Sequence, residues 1–170
     1  LVEELLEVND IAAEGVTLLR SPCDLGLIVR RSAEAVFRTS AHPLTVDVDP
    51  ELPPIVCDPE RIGRVVTNLV SNAVKYSPDG GPIVVRVRLD GHDAVLTVSD
   101  EGMGIPPEDV GRLFERFTQA DMSSTRRFGG IGLGLYIVSE IVRAHGGAVA
   151  VHSEPGAGST FEVRLPQGRA

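Results

Sequence analysis

The spacing of apolar residues along the chain predicts four helices. In four segments the apolar residues recur every three or four positions, so that they share one face of a helix. Asp58 followed by Pro59 marks the start of the third helix, because aspartate accepts the N–H groups of a first turn and proline fits its first position. Gly15 and the pair Gly146-Gly147 can end the first and the last helix. The four segments are residues 1–13, 24–39, 58–77 and 134–144.

Alternation of apolar and polar residues predicts five strands, because successive side chains of a strand point to opposite faces. The pair Asp90-Gly91 turns the second strand into the third, and residues 155–158 form the turn between the last two. Antiparallel hairpins mixed with helices favour an α+β fold in which one sheet is covered on one face. The five segments are residues 44–48, 83–89, 94–99, 148–152 and 160–165.

Composition agrees with one compact domain and argues against several classes of protein. The 170 residues are 42% hydrophobic and 24% charged, which is typical of a globular domain rather than a disordered chain or a rod. The net charge of -8 argues against a nucleic-acid binder, which needs a basic face to displace counterions. No apolar run approaches the roughly 20 residues that span a bilayer, so we expect no membrane contact by this chain. Cys23 and Cys57 lack the spacing of a zinc site and are predicted to be buried free thiols.

Three polar residues of the third helix are candidates for binding a metal ion and phosphate. Asn68, Asn72 and Lys75 are spaced at i, i+4 and i+7, so they share one stripe beside the apolar face. Asparagine oxygens suit Mg²⁺, which completes its shell with water and phosphate oxygens, and lysine supplies a charge for those phosphates. A solvated helix face with incidental amides explains this helix equally well when it is taken alone.

A carboxylate and two glycines follow the third strand. Asp100 continues the alternation of Leu96 and Val98, which directs its carboxylate toward the apolar side of the sheet. Gly102 and Gly104 allow a flat ligand to approach the backbone, and an acceptor carboxylate beside them suits a heterocycle with an exocyclic amine. An ordinary turn is the alternative for this motif.

A glycine-rich loop stands before the fourth helix. Residues 129–135 contain four glycines, so their backbone N–H groups and the helix dipole can receive phosphate oxygens. The preceding residues 118–128 have little apolar content, which is typical of a mobile lid, and Arg126 and Arg127 could close on a polyphosphate. A surface pair of charges is the alternative for these two arginines.

The order and spacing of these motifs resemble the catalytic and ATP-binding domain of sensor histidine kinases. This domain belongs to the wider group that shares the ATPase fold of gyrase, Hsp90 and MutL. The resemblance covers about residues 24–166 and implies the Bergerat ATP-binding fold, a two-layer α/β sandwich with a mixed, mostly antiparallel sheet under about three helices. The matching segments are 68–77 (N box), 100–104 (first glycine box), 114–117 (F box), 130–134 (second glycine box) and 156–160 (last glycine box).

The resemblance implies ATP and Mg²⁺ as cofactors and a role for each candidate residue. Asn72 would be the magnesium ligand, Asn68 would support the metal and phosphate site, and Lys75 would contact phosphate. Asp100 would accept a hydrogen bond from the adenine amino group. The other implied nucleotide-binding residues are Tyr76, Gly102, Gly104, Ile105, Arg116, Phe117, Arg126, Arg127, Gly130, Gly132, Leu133, Gly134, Leu135 and Thr160.

The resemblance also implies a reaction, in which the domain donates the γ-phosphoryl group of Mg-ATP to a histidine of a dimerisation domain in two-component signalling. None of the four histidines has the phosphoacceptor context, an acidic residue followed by an Arg-Thr-Pro-like run. We therefore expect the phosphoacceptor to lie upstream and this chain not to label itself. Residues 1–15 resemble the end of the second dimerisation helix, and residues 16–170 the catalytic domain with a lid at about 118–130. The implied partners are ATP, the histidine-containing domain of the same protein and a response regulator, in the cytoplasm whether or not the parent is membrane-anchored.

Two other functions of the same fold are alternatives. Hydrolysing ATPases of the gyrase and MutL kind have a general-base glutamate four residues before the metal-binding asparagine, and here that position is Asn68, which cannot accept a proton. A nucleotide-dependent interaction module, such as an anti-sigma factor or a pseudokinase, is the second alternative. Ile131 stands where the family usually has threonine, so the phosphate loop lacks one hydroxyl.

Overall fold

Two β-sheets and a layer of helices form the described part of the chain. The computed structural model describes residues 8, 9, 11, 13, 15–38, 40–116 and 132–168. The helices are α1 (Leu25–Phe37), α2 (Pro59–Lys75), α3 (Pro107–Val110) and α4 (Gly134–Ala144). The strands are β1 (Ser21–Cys23), β2 (Leu44–Val48), β3 (Ile55–Cys57), β4 (Ile83–Asp90), β5 (Asp93–Asp100), β6 (Ala148–Glu154) and β7 (Gly158–Pro166).

The larger sheet has the strand order β2-β4-β5-β7-β6, with β2 parallel to β4 and the other neighbours antiparallel. Its register places buried residues side by side, with Val85 opposite Val98 and Val98 opposite Phe161. The other face is polar, with Thr97 opposite Glu162. Because a sheet buries only its apolar face, the helices cover that face alone. The predicted α+β sandwich with a mixed, mostly antiparallel sheet is confirmed.

Helix α2 is the centre of the covering layer. The Asp58 carboxylate accepts the N–H groups of Glu60 and Arg61, each at 3.1 Å, and Pro59 occupies the first turn, as the sequence predicts. Helices α1 and α4 both pack against α2. Its apolar residues are buried on one side of the helix and fill the space above the sheet: Ile62, Val65, Val66, Leu69, Val70 and Ala73.

The first predicted helix lies only partly within the described residues. Residues 8, 9, 11 and 13 are helical, and Val8 and Ile11 are buried in the main core. The Gly15 N–H donates to the Ile11 carbonyl at 3.0 Å, and Gly15 has φ +75°, so glycine ends this helix in the predicted way.

Three short elements were not predicted from the sequence. Strands β1 and β3 pair antiparallel in a separate two-stranded sheet, and α3 is one turn that follows Pro106. Each has three or four residues, too few for a period to be recognised. This small sheet holds both cysteines, of which Cys57 is buried and Cys23 only partly so. Burial, and secondarily the nearby Cys23, raises the pKa of Cys57 to about 12, so this thiol stays protonated.

A buried polar cluster joins the start of α2, the end of α4 and the connector before β1. The Asp58 N–H donates to His145 Nε2 at 3.0 Å, and His145 Nδ1–H donates to a carbonyl of α4 at 2.8 Å. This pattern requires a neutral imidazole with its proton on Nδ1. The Asp58 carboxylate accepts the Leu19 N–H at 2.8 Å, and Arg20 donates to the Ala144 carbonyl at 2.6 Å. The connector is thereby fastened to both helices.

This cluster should make the stability of the fold depend on pH near neutrality. Burial lowers the pKa of His145, the hydrogen bond to Ile141 only partly offsets this, and Arg20 lowers it further. The folded state therefore binds fewer protons than the unfolded state as the pH falls through 6.5, the ordinary histidine value. We expect the full stabilisation above that pH and a progressive loss as the pH falls toward the lowered pKa.

Urea unfolding at about pH 7.5 and about pH 5.5 measures the difference. The His145→Gln variant should be less stable than wild type at the higher pH, because one buried hydrogen bond or more is lost, and its stability should fall less on acidification. His92→Gln, at an exposed turn position, should keep the wild-type pH dependence. An equal pH dependence in all three proteins would contradict the assignment to His145.

Candidate functional site

The polar stripe of α2 meets the N-terminus of α4. Asn68, Asn72 and Lys75 are half-buried in the second half of α2. The Asn68 Nδ2 donates to the Gly134 carbonyl at 3.3 Å, which holds the first residue of α4 against α2. Because the cluster around His145 joins the other ends of the same two helices, α2 and α4 are antiparallel. The amide stripe and the glycine loop, separated by more than 60 residues in the sequence, are therefore adjacent.

The N-terminus of α4 presents backbone N–H groups that the helix itself does not use. Gly132 has φ +72°, and the buried Leu133 follows it directly into the helix. The Ile137 N–H donates to the Leu133 carbonyl at 2.9 Å, and α4 has no side-chain cap within the described ranges. The N–H groups of residues 134–136 thus point out of the positive end of the helix dipole, where an anion is stabilised.

Asp100 ends β5 on the buried face of the sheet, as the alternation predicts. Its carboxylate accepts the Gly102 N–H at 2.8 Å and faces Ser159, its register partner in β7. The buried Ser77 hydroxyl lies nearby and makes no hydrogen bond of ordinary geometry within the described residues. Burial raises the pKa of Asp100, and the nearby N–H groups of Gly102 and Ser159 and the Ser77 hydroxyl only partly offset this. Acceptor positions of this carboxylate are left for a ligand that can donate to it.

The two glycines after Asp100 are required by the backbone of the protein itself. A side chain at Gly102 would overlap the Tyr76 carbonyl, and one at Gly104, which has φ +68°, would overlap the Glu154 carbonyl. The Met103 N–H donates to the Tyr76 carbonyl at 3.0 Å. The sequence analysis assigned these glycines to the approach of a ligand, whereas the structure gives them the role of packing the loop between α2 and β6.

A cavity of about 600 Å³ opens beside Asp100. This volume is in the range of small-molecule sites. The Ile105 N–H donates to Ser153 Oγ at 2.8 Å, which fixes the glycine loop to one side of the cavity. Ser153 Oγ is also 2.9 Å from Ser159 Oγ. The lining combines apolar side chains with hydroxyls, one imidazole and two carboxylates. The lining residues are Asp100, Pro107, Val110, Val151, His152, Ser153, Glu154, Ala157, Gly158, Ser159 and Thr160.

Thr160 lies on the opposite face of the sheet from Asp100. Its Oγ1 is 2.9 Å from Ser99 Oγ, its register partner on the polar face. The side chain that faces the Asp100 carboxylate from β7 is therefore that of Ser159, which the sequence analysis did not select. Counting in steps of two back from the buried Phe161 would have identified it, because Ser159 then points inward and Thr160 outward.

Arg116 packs on Tyr136, in the first turn of α4. One guanidinium nitrogen donates to the Tyr136 hydroxyl at 2.7 Å, and the guanidinium carbon is 4.7 Å from the ring centroid. At the end of α2, Lys75 Nζ is 4.9 Å from the centroid of the Tyr76 ring. Tyr136 was not among the predicted site residues. The remaining candidates, Phe117, Arg126, Arg127 and Gly130, together with Ile131 and the predicted lid, lie outside the described residues.

Helices over one face of a mixed sheet, a buried carboxylate at a strand end and a helix N-terminus beside an amide stripe are together typical of one class of ATPase. A family model described as histidine kinase-, DNA gyrase B-, and HSP90-like ATPase matches residues 57–169, so the chain belongs to this family. The resemblance found in the sequence motifs is confirmed.

The chain is similar to two named histidine kinases and to one solved structure. It is 33% identical over 172 residues to the circadian input-output histidine kinase CikA of Synechococcus elongatus, covering 98% of this chain and 23% of CikA. It is 43% identical over 111 residues to the sensor histidine kinase WalK of Bacillus subtilis, covering 64% of this chain and 18% of WalK. The crystal structure of full-length ShkA in complex with AMPPNP superposes with a TM-score of 0.85 at 31% identity, covering 99% of this chain and 35% of ShkA. The chain thus spans a quarter or less of the two sequence relatives and about a third of ShkA.

The described residues contain neither a membrane-spanning helix nor a cluster of metal-binding side chains. No helix in this part of the chain is both long and apolar enough to cross a bilayer. The same part contains no group of three or more His, Cys, Asp or Glu side chains placed to hold a metal ion.

Proposed function

We propose that this chain binds Mg-ATP and donates the γ-phosphoryl group to a histidine of a dimerisation domain. The observation that carries the proposal is the hydrogen bond between Asn68 and Gly134, which sets the amide stripe of α2 against the N-terminus of α4. The membership of the ATPase family and the names of CikA and WalK, both histidine kinases, support it.

The adenine base is assigned to the cavity beside Asp100. The exocyclic amine of adenine donates to this carboxylate, and the apolar lining of the cavity covers the faces of the ring. The hydrogen bond from the Gly102 N–H orients the Asp100 carboxylate and therefore its remaining lone pairs. Tyr76, Gly102, Gly104 and Ile105 shape this end of the site, the glycines through close backbone packing rather than through contact with the base.

The phosphates are assigned to the other end of the site, at the N-terminus of α4. The N–H groups of residues 134–136 and the helix dipole stabilise phosphate oxygens, and Lys75 and Arg116 add positive charge. Because the chain is acidic overall, this local arrangement of donors has to provide the attraction for a polyphosphate.

The donors present fit Mg²⁺. Asn72 supplies a neutral amide oxygen, Asn68 lies one turn away, and no cluster of acidic side chains suited to a metal occurs in the described residues. Such a sparse protein shell suits an ion that retains several waters and takes phosphate oxygens as ligands. When bound, Mg²⁺ would neutralise charge that develops on the transferred phosphoryl group. Asn68 keeps its carbonyl oxygen for this site, since its amide nitrogen is engaged with Gly134.

The chain contributes to phosphoryl transfer by positioning and by electrostatics, because a loose transition state of this kind needs little covalent help from the protein. Asp100 fixes the base, the N-terminus of α4 fixes the phosphates, and the γ-phosphoryl group is left facing the attacking nitrogen of the partner histidine. Asn68 occupies the position of the general base in hydrolysing relatives of the fold and cannot activate water there.

Calorimetric titration with a non-hydrolysable ATP analogue, with and without Mg²⁺, tests the metal assignment. We expect wild type to bind more tightly with Mg²⁺, and Asn72→Ala to lose this gain while retaining metal-independent binding. Ser71→Ala, at an exposed neighbouring position on α2, should behave like wild type. A magnesium gain that persists in Asn72→Ala would contradict the assignment.

Incubation of the chain with radiolabelled ATP and a separate histidine-containing dimerisation domain tests the transfer step. Acid-labile label on the added domain, and none on this chain, is the expected result. Steady release of phosphate without the added domain would instead favour the hydrolysing ATPase. Binding of nucleotide with neither transfer nor hydrolysis would favour the interaction module.

A further inference from the structure

Arg116 is an exposed arginine that the structure nevertheless holds in one place. Its guanidinium donates to the Tyr136 hydroxyl at 2.7 Å and lies over the same ring, 4.7 Å from the centroid. Tyr136 is itself half-buried and packs against the main core from the first turn of α4. The Arg116 side chain is thus held against Tyr136 by a hydrogen bond and a cation–π contact.

The Arg116–Tyr136 pair lies at the first turn of α4, whose N-terminus is the proposed phosphate site. Tyr136 is two residues after Gly134, whose carbonyl is bound by Asn68, and its own backbone N–H is one of those at the helix N-terminus. The tyrosine that the guanidinium contacts thus belongs to the helix turn whose N-terminus favours an anion. One N–H of Arg116 is used by Tyr136, and the planar group has five, so donors are left for phosphate oxygens.

We infer that Tyr136 is a positioning residue, which holds the Arg116 guanidinium beside the N-terminus of α4 so that Arg116 binds the phosphates of the nucleotide. This inference rests on the proposed function, because it assigns a further residue to the same phosphate subsite. An exposed arginine samples many rotamers, and binding a phosphate would restrict them. Contact with Tyr136 restricts them beforehand, so that less is lost when the phosphate binds.

The alternative is that the pair only stabilises the fold. Both contacts would then matter for unfolding and not for any particular ligand. The two roles are separable, since a positioning role concerns ligands that carry phosphates, whereas a structural role affects adenosine and ATP alike.

Titrations of adenosine, ADP and a non-hydrolysable ATP analogue into wild type and Tyr136→Phe separate the two roles. Phenylalanine keeps the ring and removes only the hydroxyl. We expect Tyr136→Phe to bind the ATP analogue about five times more weakly and adenosine with unchanged affinity. Arg116→Ala should lose about tenfold or more for the ATP analogue, again with adenosine unchanged. Arg112→Ala, which removes an exposed arginine paired with Glu115 in the same segment, should match wild type for all three ligands.

The double variant Tyr136→Phe/Arg116→Ala completes the design. If the tyrosine acts through the arginine, the double variant binds the ATP analogue as Arg116→Ala does, with no further loss. Wild-type affinity of Tyr136→Phe for the ATP analogue, equal losses for adenosine and ATP, or independent losses in the double variant would each overturn the inference. These outcomes differ from failure of the proposed function, in which wild type itself would bind the ATP analogue no more tightly than adenosine.

Discussion

Replacing Asp100 with alanine should weaken the binding of an ATP analogue by about 10- to 100-fold, the expected loss for a buried hydrogen bond to a charged group. The carboxylate lies on the buried face of the sheet beside the cavity, and the Gly102 N–H donates to it at 2.8 Å. Titration calorimetry measures the loss, and a thermal melt of the same variant shows whether the fold survives once that N–H group loses its acceptor.

Two comparisons make this result specific to the base. Asp93→Ala removes a carboxylate at the other end of the same strand and should leave binding unchanged. A guanine nucleotide presents a carbonyl oxygen where adenine has an amine, so wild type should bind it at least about 100-fold more weakly, because two acceptors then face each other. An Asp100→Ala protein that folds and binds ATP like wild type would overturn the assignment of the base.

Replacing Gly104 with alanine should destabilise the fold by more than about 4 kcal/mol, one of the largest effects expected for a single methyl group. The new Cβ would overlap the Glu154 carbonyl, and φ at this residue is +68°, which L side chains rarely adopt. Since domains of this size are stable by only about 5–15 kcal/mol, a large part of the margin would be lost. Urea unfolding gives the change directly.

Gly156→Ala is the matched control for this effect. Gly156 has φ +78°, similar to that of Gly104, but its missing Cβ faces open space. Its replacement should therefore cost only the backbone strain, about 1–2 kcal/mol. The difference between the two variants isolates the overlap with Glu154. Equal losses at both positions would show that the loop can move away from β6.

The elements that could be predicted from the sequence are those with a clear period. Helix α2 combines an apolar stripe with Asp58 and Pro59 at its start, and strands β4 and β5 alternate on either side of an Asp-Gly turn. The pairing of β2 parallel to β4 is a different matter, because no local pattern specifies it. The chain leaves β2, passes through α2 and returns to form β4 beside β2. This pairing therefore depends on how α2 packs on the sheet, which no local pattern reveals.

In the candidate site, the motifs identified the segments better than the individual side chains. Thr160 belongs to the matching segment, yet the register assigns the inward position to Ser159. The close approach of Gly104 to Glu154 could not be predicted either, since Glu154 is 50 residues away in the sequence and no spacing rule connects them. The hydrogen bond between Asp58 and His145 is equally invisible before the fold is known, because it joins the ends of two separate helices.

The connector before β1 is attached to the start of α2 and to the end of α4, and this attachment bears on how α2 can move. Leu19 is hydrogen-bonded to the start of α2 and Arg20 to the end of α4, and both attachments are remote from the amide stripe. Helix α2 has 17 residues and is therefore about 25 Å long. Asn68 is near the middle of the helix, so a tilt of about 5° about the helix start would move Asn68 by about 1 Å and the far end by about 2 Å. A shift of about 1 Å is enough to break the 3.3 Å hydrogen bond between Asn68 and Gly134. A small rotation of α2 about Asp58 would therefore be felt where the proposed phosphate site lies.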